Sequence, residues 1–123
     1  MPQQPMFRKA QREDVSLILN FIRELAEYEG MLDEVVADEA TLETWIFDHQ
    51  KAEVIFVLDQ GQEVGFALFF HNFSTFLGRS GIYLEDLYVK EEYRHQGYGK
   101  AILKELARIA VERGCGRLEW WCL

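Results

Sequence analysis

The hydrophobic positions change period along the chain. Phe7 to Ala10 reads as a short opening strand. Asp14 then stands as N-cap of an amphipathic stretch in which Val15, Leu17, Ile18, Phe21, Ile22 and Leu25 share one face, predicting a first helix that ends near Gly30. The segment "DEATLETWIFDHQ" repeats the spacing, with Asp38 as cap and Leu42, Trp45 and Ile46 as the buried stripe of a second helix. Beyond it the period shortens to two. "EVIFVLD", a turn at Gln60-Gly61-Gln62, and "EVGFALFFHNF" read as a β-hairpin rich in β-branched and aromatic residues. After "STFLGRSG", whose Gly78 and Gly81 mark a turn, Ile82 to Val89 is apolar enough for a strand covered on both faces, interrupted only by Glu85 and Asp86.

Gly97 to Arg113 predicts the longest helix. Ile102, Leu103, Leu106, Ile109 and Ala110 lie on one side and Lys100, Lys104, Glu105 and Arg108 on the other, with Gly114 and Gly116 ending it. Arg117 to Leu123 reads as a further strand. Strand, helix and strand form a β-α-β unit, which crosses over right-handed and sets its two strands parallel. The fold class is mixed α/β, in one domain over residues 1–123.

Composition narrows the partners. A chain of 123 residues, 49% hydrophobic and 28% charged, supports one core and one function. Its formal net charge of -8 argues against a nucleic acid and accommodates a cationic small molecule. No run approaches the ~20 apolar residues of a membrane span, and "MPQQPMFRKAQRED" has no apolar signal core, so a cytoplasmic protein without a membrane partner is expected. Cys115 and Cys122 lack CxxC spacing, and His49, His71 and His95 show no ligand spacing. The expectation is two reduced thiols, three surface or loop histidines and no metal.

The candidate chemistry lies in "LYVKEEYRHQGYGKAILKELA", where a strand passes to a helix through Arg94-x-x-Gly97-x-Gly99. A helix N-terminus offers backbone N–H groups without intrahelical partners and the positive end of the helix dipole. Gly97 and Gly99 leave no side chain between that backbone and an anion, and Arg94, with His95, Gln96 and Lys100 around it, adds charge-assisted donors. Pyrophosphate binding is the chemistry indicated, against the plainer alternative of glycines that ease a tight turn. A dinucleotide GxGxxG fingerprint would need glycine or alanine at Ile102, and the Walker GK[ST] ending is absent.

Together "YLEDLYV", "EEYRHQGYGKAILKEL" and "RLEWWCL" resemble the Gcn5-related N-acetyltransferase (GNAT) superfamily, and Arg94-x-x-Gly97-x-Gly99 is similar to its acetyl-CoA pyrophosphate loop. Within it, "FIRELAEYE" and "VGFALFF" resemble the spermidine/spermine (diamine) acetyltransferases. The resemblance implies a mostly antiparallel sheet flanked by helices, with a parallel pair splayed at the acetyl-CoA site. It implies that the backbone of Leu87, Tyr88 and Val89 bonds the pantetheine arm, and that Arg94 to Lys100, Tyr98 included, receives the pyrophosphate. An N–H of Leu87 or Val89 would face the thioester oxygen.

An amine of pKa ~10.4 is ammonium at neutral pH, so its proton must leave before it attacks a thioester. Glu85 and Asp86, consecutive on a regular strand, would point to opposite faces, so one at most meets the substrate. By resemblance, Glu85 holds the cation and relays its proton through water; the plainer reading of the pair is a strand edge in solvent or an ion pair with Arg94 or Lys90. The resemblance adds Tyr28, Glu29, Glu119, Trp120 and Trp121 as substrate-wall positions, beside the alternatives of a solvated helix end and core packing.

The resemblance also implies an asparagine loop, a helix bearing a tyrosine acid, and a final hairpin beyond the position of Leu123, so the domain is expected to be C-terminally truncated. The strand from Leu118 would then present an open apolar edge, and a homodimer, strand-swapped in one variant, is expected from it. The leading expectation is acetyl transfer from acetyl-CoA to a primary amine of a polyamine, diamine or lysine-like amino acid, by direct attack in a ternary complex. The alternatives are a catalytically silent acetyl-CoA-binding module and, third, a scaffold that uses no ligand.

Overall fold

The computed structural model describes residues 5–121. The predicted strand positions Cys122 and Leu123 lie outside the described residues. Five strands form one sheet in the order β1-β2-β3-β4-β5: β1 (Met6–Lys9), β2 (Glu53–Asp59), β3 (Gln62–Ser74), β4 (Arg79–Val89) and β5 (Leu118–Trp120). The first four are mutually antiparallel, and β4 and β5 run parallel through the crossover helix α3 (Tyr98–Glu112). Helices α1 (Val15–Tyr28) and α2 (Glu39–Leu42) lie between β1 and β2 in the chain.

Strand alternation sorts the core into two layers. Ile55 and Val57 of β2 pack with Ile82, Ile102 and Leu106 under α3, whereas Val54 and Phe56 pack with Ile18, Phe21 and Phe66 under α1. Phe21 is fully buried and stacks on Phe66 with centroids 5.3 Å apart. The sheet is therefore covered on both faces, as the apolar strands predicted.

Three local expectations are corrected. Asp14 does not cap α1 with its side chain: its carboxylate turns back to both Arg8 terminal nitrogens at 2.8 Å and to Gln11 N at 2.7 Å, and the helix starts through a 3-10 turn over Arg12–Asp14. Asp38, by contrast, accepts from Thr41 N at 2.8 Å as a cap should. Trp45 is 56% exposed, because α2 runs into a wider π-helical turn over Glu43–Asp48 that shifts the phase of the buried stripe to Ile46 and the half-buried Phe47. Gly81 is not part of the β3–β4 turn. It pairs with Asn72 inside β4, where a Cβ would stand 2.6 Å from Asn72 Oδ1.

Register decides where the site forms. Leu68 pairs with Asp86 but Phe69 pairs with Leu84, so Glu85 has no partner and β4 bulges there. The bulge reverses the parity of the strand. Before it, Ile82 and Leu84 face α3; after it, Leu87 and Val89 face α3 while Asp86 and Tyr88 turn to α1. Pairing with β5 covers only Ile82–Leu84. In this register Glu85 stands opposite Trp121, and the positions opposite Asp86 and Leu87 lie outside the described residues.

Candidate active site

Two features meet at the C-terminal half of β4: a strand end with a helix N-terminus beyond it, and a group of carboxylates on the α1 face.

The strand leaves through Lys90 into a 3-10 turn over Glu91–Tyr93. His95 and Gly97 both take left-handed backbone, with φ of +64° and +88°. Glycine adopts this freely, whereas histidine does so at a conformational cost that the turn must hold. Gly97 is the N-cap of α3, and Ala101 N donates to Gly97 O at 3.0 Å as the first helical bond. The N–H groups of Tyr98, Gly99 and Lys100 are left without helical acceptors. Beside them a cleft of about 300 Å³ runs from Leu87 and Val89 past Tyr93 and His95 to Gly99. On the outer side, Gln96, Lys100 and Lys104 line a second cleft of about 600 Å³. Gly99 is the only glycine of the turn near another side chain, 3.8 Å from Leu87 Cδ2 for an added Cβ. The end of β4, the bare N–H groups and the lysines border these two clefts, a donor set suited to phosphate groups.

Arg94 also lines the first cleft, and its side chain has partners on β4 and α1 as well. Its Nε donates to Val89 O at 2.9 Å, and its guanidinium carbon lies 4.2 Å from the Tyr28 ring centroid and 5.3 Å from that of Tyr88. The motif places this side chain among the phosphate donors; its guanidinium also joins the cofactor turn to the end of α1.

The α1 face holds the acidic group. Asp86 lines a pocket of about 270 Å³ with Ile22, Leu25, Glu29, Met31 and Glu34. Burial chiefly, and then the charges of Glu85 and Glu29, push the Asp86 carboxyl up to about 6. Glu85 itself is exposed. The expectation that the pair point to opposite faces fails because it presumed a regular strand: the bulge leaves both on the α1 face. Asp86 is the site residue that sequence reasoning set aside, and the mark it left was the polar interruption of an otherwise apolar strand.

The other predicted wall residues divide. Tyr28 ends α1 and is 68% exposed apart from the face under Arg94, and Glu29 follows it toward Asp86. Glu119 pairs in register with Tyr83, but its carboxylate is held by Asn72 Nδ2 and Arg117 Nε, both at 2.8 Å, so no free charge is offered there. Trp120 and Trp121 are exposed beyond it among the described residues. His71 is not a free surface histidine: Arg113 donates to its Nε2 at 2.9 Å, and its Nδ1 lies 3.1 Å from Gly81 O and 3.8 Å from Cys115 Sγ. Cys115 is free and half-buried, at the far end of β4 from the bulge. Among the described residues there is no cluster of three metal-ligating side chains and no helix long and apolar enough to cross a membrane.

Comparison with known proteins shows the family of the chain. The acetyltransferase (GNAT) family model matches residues 18–123. Thialysine N-epsilon-acetyltransferase of Bos taurus is 42% identical over 92% of this chain and 71% of its own length. Spermidine/spermine N(1)-acetyltransferase-like protein 1 of Homo sapiens is 31% identical over 88% of this chain and 16% of its own. Among solved structures, an aminoglycoside acetyltransferase from an uncultured soil metagenomic sample, in complex with sisomicin, superposes with a TM-score of 0.83 at 17% identity, over 98% of this chain and 78% of that one; it is a likeness of fold. The chain belongs to the GNAT family of acetyltransferases.

Proposed function

We propose that this chain transfers acetyl from acetyl-CoA to a primary amine of a small lysine-like or polyamine substrate, by direct attack within a ternary complex. The observation that carries this reading is the β4 bulge, which sets Glu85 and Asp86 on one face beside Glu29. Three carboxylates suit a substrate that brings more than one positive charge. The similarity to thialysine N-epsilon-acetyltransferase supports a lysine-like amine in that role.

Acetyl-CoA would be held by the backbone edge of Leu87, Tyr88 and Val89 and by the N–H groups of Tyr98, Gly99 and Lys100; bound there, it supplies an activated thioester. The protein acts on the amine. Asp86 and Glu29 hold a distal ammonium in the pocket under α1. Glu85, more exposed and close to ordinary water, takes the proton of the reacting ammonium through a bridging water, since a free amine is the nucleophile. An N–H of the bulged strand facing the thioester carbonyl stabilises the oxygen charge that develops on attack. The described thiol, Cys115, lies at the other end of β4 from the bulge and takes no part in this reading.

Calorimetric titration with acetyl-CoA, followed by assay of thiol release with thialysine, spermidine and a monoamine of equal length, tests the reading. Binding is expected, with thiol release greatest for the substrate carrying a second charge. Binding without thiol release for any amine would leave a silent acetyl-CoA module, and failure to bind would remove both.

A further inference from the structure

The last two turns of α1 are held to the cofactor strand by two cations. Lys90 Nζ reaches Glu24 at 3.1 Å, where the Tyr88 hydroxyl also donates at 3.3 Å. One turn further on, Arg94 stacks over Tyr28 while its Nε bonds Val89 O. Val89 is the last residue of β4, and Tyr28 is followed by Glu29, whose charge acts on Asp86. A single side chain from the phosphate turn thus spans the strand end and the wall of the acidic pocket.

We propose that Arg94 is a positioning residue for the amine site. Bonded to Val89 O and stacked on Tyr28, it fixes the end of α1, and with it Tyr28 and Glu29, at a set distance from the bulge. The inference rests on the function proposed above. Guanidinium chemistry suits this role, because the group is planar and one edge N–H can anchor on a carbonyl while the face lies against an aromatic ring. A lysine at this position could make one of those contacts but not both. The strut gives the motif arginine a role on the amine side of the site, and it acts there through Tyr28 rather than by touching substrate.

A double-mutant cycle separates this from a purely structural or phosphate-binding role. Arg94→Gln should raise the amine KM by about 10-fold in the parent chain, and by no more than about 2-fold in a Tyr28→Leu background, because the contact is already lost. In a Tyr28→Phe background, which keeps the ring face, Arg94→Gln should still raise the amine KM by about 10-fold. Equal effects of Arg94→Gln in both backgrounds, or a loss confined to acetyl-CoA affinity with amine KM unchanged, would overturn the proposal. A measurement independent of turnover is the Arg94 Nε–H cross-peak in a nitrogen-proton correlation spectrum. It should move in Tyr28→Leu, where the ring current is removed, and hold its place in Tyr28→Phe. An unmoved peak in Tyr28→Leu would overturn the strut even if acetyl transfer itself had failed.

Discussion

Glu85 and Asp86, neighbours in sequence, lie on the same face of the sheet, because the β3–β4 register skips Glu85 between Leu68 and Phe69. The skip places two carboxylates where a regular strand would place one, and burial then separates their chemistry. Asp86 is sunk beside α1 and resists ionisation, while Glu85 stays in contact with water.

Asp86 should therefore oppose stability at neutral pH. Its folded-state pKa of about 6 lies above the usual value for an unfolded aspartate, so the folded chain binds the proton more tightly. The contribution to stability is full below pH ~4 and is lost as pH rises through about 6. Asp86→Asn should stabilise the chain by about 1–2 kcal/mol at pH 7 and by little at pH 4, while raising the KM of a multiply charged amine about 10-fold. Urea unfolding at the two pH values, beside amine kinetics, checks both; a stability change equal at both pH values would contradict the assignment.

Glu85→Gln should lower kcat by about 10²-fold, the usual scale for removing a general base. Acetyl-CoA affinity measured by calorimetry should be unchanged, since Glu85 lies off the cofactor path. Raising the pH should recover part of the rate as free amine becomes available.

Gly97 has open space where a Cβ would stand but a φ of +88°, so its constraint is conformational. Gly97→Val should destabilise the chain by about 1–2 kcal/mol through left-handed backbone strain. It should also weaken acetyl-CoA by at least about 10-fold, because the helix N-terminus is displaced and screened. Thermal unfolding and calorimetry on the same sample report the two effects.

Arg113 makes a two-bond pair with Glu53 at 2.6 and 2.8 Å, and its hydrogen bond is the main reason that the Glu53 carboxyl sits below its ordinary range. The sign is opposite to that of Asp86: this stability is present above the unfolded glutamate pKa and lost as pH falls through the lowered value. Arg113→Ala should cost about 1 kcal/mol at pH 7, discounted for partial exposure, and less under acid conditions, with acetyl transfer unaffected.

Much of this was legible in the residues. Period gave α1, α3, the β2–β3 hairpin and the parallel pair, because one buried stripe or one covered face explains each of them. Arg94-x-x-Gly97-x-Gly99 marked the strand-to-helix turn, and Gly97 indeed takes the left-handed conformation that only glycine adopts freely. What the sequence hid is register. A bulge is a property of two strands, so Glu85 and Asp86 read as opposed residues until β3 is laid beside β4. The direction of Arg94 was hidden for the same reason: its partners, Tyr28 and Val89, come from elements whose packing no local pattern encodes. The π-helical turn that exposes Trp45 is a third case, where tertiary packing overrides a sound helical period.

The most direct test of the central claim is a single-turnover experiment: stoichiometric acetyl-CoA and thialysine are mixed with the chain, and products and protein are weighed by mass spectrometry. The expected result is acetylated amine in step with free CoA, no release without amine, and no acetyl group on the protein at any time. Acetyl carried on the protein before product forms, or acetyl-CoA bound and left intact in the presence of the amine, would contradict direct transfer at the bulged strand.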